Sequence, residues 1–525
     1  MRSLKIPLVI LACCTLAFTV GACHNREKSP ADAVIFYRTT SEPDTLDPQI
    51  AETDAATLIT NLFEGLVRRD ADGQPVPGVA KDWTVSEDGT TYTFFLREEA
   101  CWSNGEAVTA DDCAFGLQRA IDPSTGAPDA CVLYDIQNAE EIHQGKLPLS
   151  SLGVYAEPGR LIIRLREPAS RFLLSLTKPV AMPCQKAFFT ASGGRYGREG
   201  DQLISNGAFC LNGTNSWLHG KRLSLRRNPS YHGADTPIPA GVTVMIDDSP
   251  KEACQAIAEG LTDCCRLPRD EQKQAQQCGL PLTAVGETVW GIAFQTQENG
   301  LPYESLRRAL LSSLDRPFIL QTLPEGCRPA EHLLPEQFPA SSSTYLSYDP
   351  HADEVWQKAL QEYHLDSPPK LTLLCPEDDA TQRIVNNILQ TWNELTGTYS
   401  NKRPVSAEVL TQQLADGQAP AALVPLTTER NHPETLLSFF RSDSRYSLLS
   451  DTSFDALLHT IQHSDPSQWE DTLVHAEAFL TAKGIFYPLY TEQRYYVSAP
   501  NVTGIIFRAD ESGPDFFFAE KIASR

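Results

Sequence analysis

Residues 43–123 read PDTLDPQIAETDAATLITNLFEGLVRRDADGQPVPGVAKDWTVSEDGTTYTFFLREEACWSNGEAVTADDCAFGLQRAIDP, and the rest of the chain is interpreted outward from this stretch. After a turn-rich opening at Pro43–Pro48, Leu58, Ile59, Leu62, Phe63 and Leu66 fall on one helical face, with Asp54 placed to cap it. Asp70 to Gly78 is dense in Asp, Gly and Pro, so the chain must turn there. Glu87-Asp88-Gly89 separates Trp83–Val85 from the β-prone Thr91–Leu96, which predicts a hairpin. At Thr109-Ala110-Asp111-Asp112 a hydroxyl and a downstream carboxylate can cap a helix carrying Cys113, Leu117, Ala120 and Ile121, which ends at Asp122-Pro123.

The remainder continues as α/β material. Val34–Arg38 reads as a strand, and Leu161–Leu165 is an alternating strand candidate. Val242–Ile246 is a further strand; behind it a Ser249–Glu252 capping box starts a helix that closes at Gly260 and delivers a strand at Leu261–Leu267. Strand, helix, strand implies a parallel crossover. In the Glu304–Arg316 helix, Leu306, Ala309, Leu310 and Ser313 share the buried face, leaving Arg307 and Arg308 toward solvent. Later come a strand at Lys370–Leu374, a helix at Asp378–Thr396 buried along Ile384, Val385, Ile388, Leu389, Trp392 and Leu395, and two amphipathic helices near Phe454–Ile461 and Trp469–Leu480. An aromatic strand at Ile485–Val497 follows. Two glycine-rich runs carry no nucleotide chemistry. Gly193–Gly200 lacks the dinucleotide spacing and reads as a flexible connector; Gly213–Lys221 is too long for a phosphate loop, and Arg222 stands where Ser or Thr is required.

The chain has 525 residues, 44 Lys and Arg against 67 Asp and Glu, and a formal charge of −23. Such a surface repels phosphate backbones and excludes nucleic acid as a partner. Arg2 and Lys5 precede the apolar run Pro7–Val20, which is too short to span a bilayer and fits a secretory leader. Val20-Gly21-Ala22-Cys23 resembles a lipoprotein signal, so residues 1–22 are expected to be removed, Cys23 to carry lipid, and residues 23–32 to act as a tether to a bacterial membrane. Eleven further cysteines remain, an odd number that cannot all pair within one chain. The cluster Cys254, Cys264, Cys265 and Cys278 lacks zinc spacing and reads as disulfide or buried thiol.

Several blocks occur in the order seen in peptide- and nickel-type (family 5) solute-binding proteins of ATP-driven importers. They are P-x-T-L-D-P, Asn61–Leu66 (NLFEGL), Pro77–Trp83 (PGVAKDW), Trp102–Asp112 (WSNGEAVTADD), Ser205–Phe209 (SNGAF) and Leu225–Tyr231 (LRRNPSY); the helix with Ser305–Arg316 is similar too. The resemblance implies a two-lobed periplasmic-binding-protein fold, type II, with an extra inserted domain and hinge closure around a ligand. Its expected division is 33–72, 196–288 and 485–525 for the first lobe, 73–195 for the insertion, and 289–484 for the second lobe. Implied with it are capture of di- to oligopeptides, delivery to the permease subunits of an importer, and a monomer with no cofactor and no metal. Other ligands of the group, such as glutathione, cell-wall peptides, nickel chelates or haem, and a sensor role are the alternatives.

The same resemblance suggests ligand-binding positions. Glu429 stands at the family's amine-anchoring acid, with Asn431 and Pro433 keeping register and Leu426 replacing its usual Trp. Arg383, near the start of the helix with Trp392, is placed to grip a carboxylate. Thr40 and Glu42 precede the opening block, and Phe294 begins the second lobe; both segments are expected against the peptide. A secreted hydrolase, the competing class, would need a G-x-S-x-G, an H-E-x-x-H, an S-x-x-K paired with K-T-G, or a C-x-x-C motif, and none of these occurs. Only His459 and His463 sit four apart, on a helix rim that reads as a solvated face.

Overall fold

The computed structural model describes residues 33–522 apart from 52, 233–238, 248–251, 298–299, 325, 336–337, 339–345, 407–408, 411–412, 414–415, 428–432, 445–447, 465–467 and 509–512. Two long strands, Leu282–Phe294 and Phe486–Ser498, pair antiparallel along their whole length and carry the chain between two lobes. On one side of this pair Cys264–Arg266, Val34–Thr39 and Gly241–Ile246 complete the first lobe's sheet; Val34–Thr39 runs parallel to both neighbours, as the crossover requires. On the other side Ala421–Thr427, Thr372–Pro376 and Asn401–Val405 form the second lobe's sheet. In Leu282–Phe294 alternate residues enter two cores, Val289 and Ala293 packing with Phe454 and Phe486, Ile292 and Phe294 with Trp392 and Tyr487. Its second-lobe half, Val289–Phe294, is covered on both faces and is apolar throughout, whereas the half in the first lobe carries Thr283 and Glu287 on its more open side.

The inserted domain is an antiparallel meander, with Ala80–Val85 paired to Thr91–Leu96 as the hairpin predicts, then Arg160–Arg164 and Val154–Glu157. Its helix, Ala110–Ile121, is closed by the expected Thr109/Asp112 capping box. One apolar core runs continuously from Ile35 and Leu58 through Phe94 and Leu117, so the insertion is welded to the first lobe. Asp47 and Arg119 make the joint. Arg119 donates to both Asp47 oxygens at 2.6 and 3.0 Å and to Gln49 Oε1 at 2.6 Å, while its guanidinium lies 3.9 Å over the Phe189 ring.

The sequence blocks interlock. Glu64 is buried and accepts a hydrogen bond from the Tyr231 hydroxyl and one from His232 Nε2 at 2.6 Å. Asn206 accepts from the Glu64 N–H at 3.2 Å and donates to the Glu64 carbonyl at 2.8 Å. A Cβ on Gly207 would lie 2.6 Å from the Leu62 carbonyl carbon.

Several expectations are corrected. The first helix spans Thr53–Leu62, so Asp54 lies inside it rather than at its cap. Ser249–Lys251 lie outside the described residues, and the helix of that crossover runs Ala253–Ala258 behind Glu252, which makes no side-chain cap. The following strand is only Cys264–Arg266. Gly193–Gly200 is pinned rather than loose: the Gly197 carbonyl accepts from Leu46 N–H at 2.7 Å, and a Cβ there would lie 2.4 Å from Asp47 N. Arg307 is buried, bonding the carbonyls of Leu301, Lys483 and Gly484, and burial lowers its guanidinium to about 10. Only Arg308 is exposed. All eleven cysteines after Cys23 are free thiols; of the cluster read as disulfide or buried thiol, Cys254, Cys264 and Cys265 are buried thiols and Cys278 is exposed. No helix among the described residues is long and apolar enough to cross a membrane.

Replacing Asp47 with Ala strands the Arg119 charge in a buried site. The expected cost is about 3–5 kcal/mol of stability, read from chemical denaturation.

Candidate functional site

Between the lobes lies a cavity of about 1160 Å³. It is lined from the first lobe by Arg38–Ser41 and Arg68, from the insertion by Asp129, Cys131, Tyr134 and Arg171, from the second lobe by Pro425–Thr427, Phe439 and Arg441, and along the crossing strand by Glu492–Tyr496. Enclosed volumes of this order suit a small organic ligand or larger. The lobes meet across the mouth: His459 Nε2 lies 2.7 Å from Glu167 Oε1, Ser170 Oγ donates to the Gln462 carbonyl at 3.2 Å, and Arg269 bonds Asp378 at 3.1 Å. His459 and His463 therefore face the inserted domain across the cleft rather than open solvent.

Two features of the lining bear on what it holds. Among the described residues, the Ala421–Thr427 strand is paired to Thr372–Pro376 at Ala421 and Ala422 alone, and farther along it Pro425–Thr427 line the cavity. An unpaired edge can accept an extended backbone as an added strand. The second feature is charge. Among the described lining residues ten arginines and one lysine outnumber eight carboxylates, in a protein whose net charge is −23. Some are committed internally, Arg441 to Asp443 at 2.8 Å, Arg508 to Asp515 at 3.3 Å and Arg166 to Glu140 at 3.0 Å. The two lining thiols are not nucleophiles: burial pushes Cys131 up to about 11 and Cys265 up to about 12.

The sequence-derived positions are scattered by this geometry. Thr40 does line the cavity. Glu42, close by, does not: its carboxylate accepts from Trp217 Nε1, His219 Nδ1 and Gly220 N–H, each at 2.7 Å, and so braces the first lobe. Phe294 is fully buried against Trp392 and cannot touch a ligand, because its side of the strand faces core. Arg383 sits exposed on the Asp379–Thr396 helix, away from the lining residues; the cavity's own arginines are nearer to the role expected of it. Glu429, Asn431 and Cys23 lie outside the described residues, although Thr427, two positions before Glu429, is on the cavity wall. Sequence reasoning missed Glu492 and Arg494. The signal was available, since charged residues inside an otherwise buried aromatic strand need a reason.

A family model described as bacterial extracellular solute-binding proteins, family 5, matches residues 74–447. The chain belongs to this family. Among relatives, it is 27% identical to the probable deoxycholate-binding periplasmic protein YgiS of Escherichia coli K12, over 90% of each chain. It is likewise 27% identical to the periplasmic oligopeptide-binding protein OppA of the same organism, over 87% of this chain and 86% of that one. The substrate-binding domain of an oligopeptide transporter from Bacillus anthracis superposes with a TM-score of 0.77 at 25% identity, covering 93% of this chain and 99% of that one. The murein tripeptide binding protein MppA of Escherichia coli superposes at 0.79, covering 94% and 99% of the two chains, whereas MppA in its unliganded open form reaches 0.65. In this family 5 chain the contacts across the mouth hold the lobes in a shut arrangement.

The Glu42 assignment has a pH signature. Burial alone would raise its carboxyl, but the Gly220 N–H, the Trp217 indole and His219 together hold it below the usual range; burial alone would lower His219, but Glu42 and Glu199 hold it above. A depressed carboxyl stabilises above its unfolded pKa and loses that on acidification; a raised imidazole stabilises below its unfolded pKa and loses that as pH rises. Both contributions coexist between about pH 4.3 and 6.5. Glu42→Gln is expected to lower Tm more at about pH 5.5 than at about pH 8.5, while leaving ligand affinity unchanged by calorimetry.

Proposed function

We propose that this protein captures di- to oligopeptides outside the cytoplasm and hands them unaltered to the permease of an ATP-driven importer. The observation that carries the reading is the inter-lobe cavity with a strand edge at Pro425–Thr427 and a lining in which arginines outnumber carboxylates. The edge offers main-chain partners to an extended backbone, and an arginine can take a terminal carboxylate through two parallel hydrogen bonds. The relatives named as oligopeptide- and dipeptide-binding proteins support the same ligand class. No reaction is assigned: the lining thiols are protonated, and binding a peptide for transfer needs no activated nucleophile.

Glu429 is proposed as the anchor for the peptide's amino group. Glu429→Ala is expected to weaken binding of a free-amine peptide by about 2–5 kcal/mol, the cost of stranding a buried charge partner, and to leave an N-acetylated peptide's affinity unchanged. Calorimetry with both peptides decides it; equal losses would remove the assignment. A second ligand, an amphiphile with one carboxylate, is favoured by the basic excess of the lining and by the likeness to a protein named for deoxycholate. Native mass spectrometry of the purified protein separates the two by the mass that travels with it.

Lipid attachment at Cys23 is part of the same proposal, since a tethered receptor stays near its permease. Cys23→Ser is expected to move the protein from the membrane to the soluble fraction on cell fractionation, with peptide affinity intact.

A further inference from the structure

We propose that Glu167, His459 and His463 form a binding site for a divalent transition-metal ion, zinc being the best match, that staples the inserted domain to the second lobe when the cleft is shut. The inference goes beyond the peptide reading but rests on the same hinge closure.

The two imidazoles stand four residues apart on the Thr452–His463 helix, hence on one face, with ring centroids 4.1 Å apart. Glu167 comes from the opposite side of the cleft. Its Oε1 lies 2.7 Å from His459 Nε2 and 3.8 Å from His463 Nε2, and the three ligand atoms all fall within 4.8 Å of one another. Metal–ligand bonds of about 2.0–2.2 Å in tetrahedral geometry place ligand atoms roughly 3.3–3.6 Å apart. Small side-chain rotations therefore suffice. Asp135 Oδ1, also from the insertion, lies 3.5 Å from His463 Nε2 and is positioned as a fourth ligand.

The ring of His463 is already oriented for a metal. His463 Nδ1–H donates to the His459 carbonyl at 2.8 Å, the outer hydrogen bond that metal-bound histidines ordinarily make, so that Nε2 is the ring atom that faces the carboxylates. That Nε2 is buried and faces the oxygens of Asp135 and Glu167 at 3.5 and 3.8 Å without a well-formed hydrogen bond to either. Two imidazoles and one or two carboxylates suit zinc, and also cobalt(II) and nickel(II), better than calcium or magnesium. Because the ligands come from both sides, only the shut form presents them together. A metal and a cleft ligand that both favour closure must strengthen each other's binding by the same factor.

The test uses the full mature chain carrying Cys278→Ser, which removes the exposed thiol, freed of bound ligand. Calorimetry with zinc chloride is expected to show one site per chain. His463→Ala and Glu167→Gln each lower its affinity by more than about tenfold, and His351→Ala, at an exposed histidine elsewhere, leaves it unchanged. Cobalt(II) is expected to give a visible spectrum without the intense near-ultraviolet band of thiolate ligation. In small-angle scattering, zinc alone makes the wild-type protein more compact and the His463→Ala protein no different. No zinc uptake, uptake that survives both substitutions, or a thiolate band would overturn the site. Zinc closure needs no peptide, so a protein that binds no peptide yet compacts with zinc sinks the proposed function and leaves this site standing.

Discussion

The whole molecule depends on the antiparallel pairing of Leu282–Phe294 with Phe486–Ser498. Each strand starts in one lobe and ends in the other, so the backbone ladder that holds each sheet together is also the connection between the sheets. The ladder is irregular where the lobes part: the register shifts between Ala284 and Gly286 and again between Trp290 and Gly291. Gly286 has φ +155°, and a Cβ on Gly291 would lie 2.3 Å from the Phe486 ring, so both irregular points are held by glycine. Bulges bend strands locally without breaking the pairing on either side. A two-strand connection with two such bends can swing the lobes while each keeps its own core.

From this follows what could be read in the sequence. The blocks in residues 43–123 and 205–231 are legible because each is one half of a close fit: Glu64 with Asn206, Tyr231 and His232, Gly207 against Leu62, Asp47 with Arg119. Buried polar groups tolerate few substitutes, since an unmatched partner costs its full desolvation. Such residues therefore appear as fixed words in a fixed order. Helix periodicity was equally readable, and the buried stripe of Asp379–Thr396 is occupied by Ile384, Val385, Ile388 and Trp392 as the spacing implies.

The ligand cavity was far less legible, for a physical reason. A cavity wall is made of single residues from many segments, and nothing local distinguishes a guanidinium that faces a ligand from one that braces a lobe. Arg307 shares a helix with Arg308, yet one is buried on three carbonyls and the other is exposed. Glu42 stands two residues from Thr40, but the strand has ended, and its side chain turns back to Trp217 and Gly220. His459 and His463 look solvated on their own helix and are covered by a segment nearly three hundred residues away.

The balance of forces across the mouth explains why closure can respond to a ligand. The His459–Glu167 hydrogen bond and the Arg269–Asp378 ion pair are partly exposed, and surface contacts of this kind contribute about 0–1 kcal/mol each. A handful of them biases the shut form without locking it. A ligand bound at micromolar affinity supplies about −8 kcal/mol, so most of the free energy of the shut, loaded state comes from what fills the cavity rather than from the rim. The lining's basic excess adds direction: inside a shell of net charge −23, the guanidiniums make the cleft the place where a carboxylate loses least on leaving water. The rim then acts as a weak latch on a door that the solute closes.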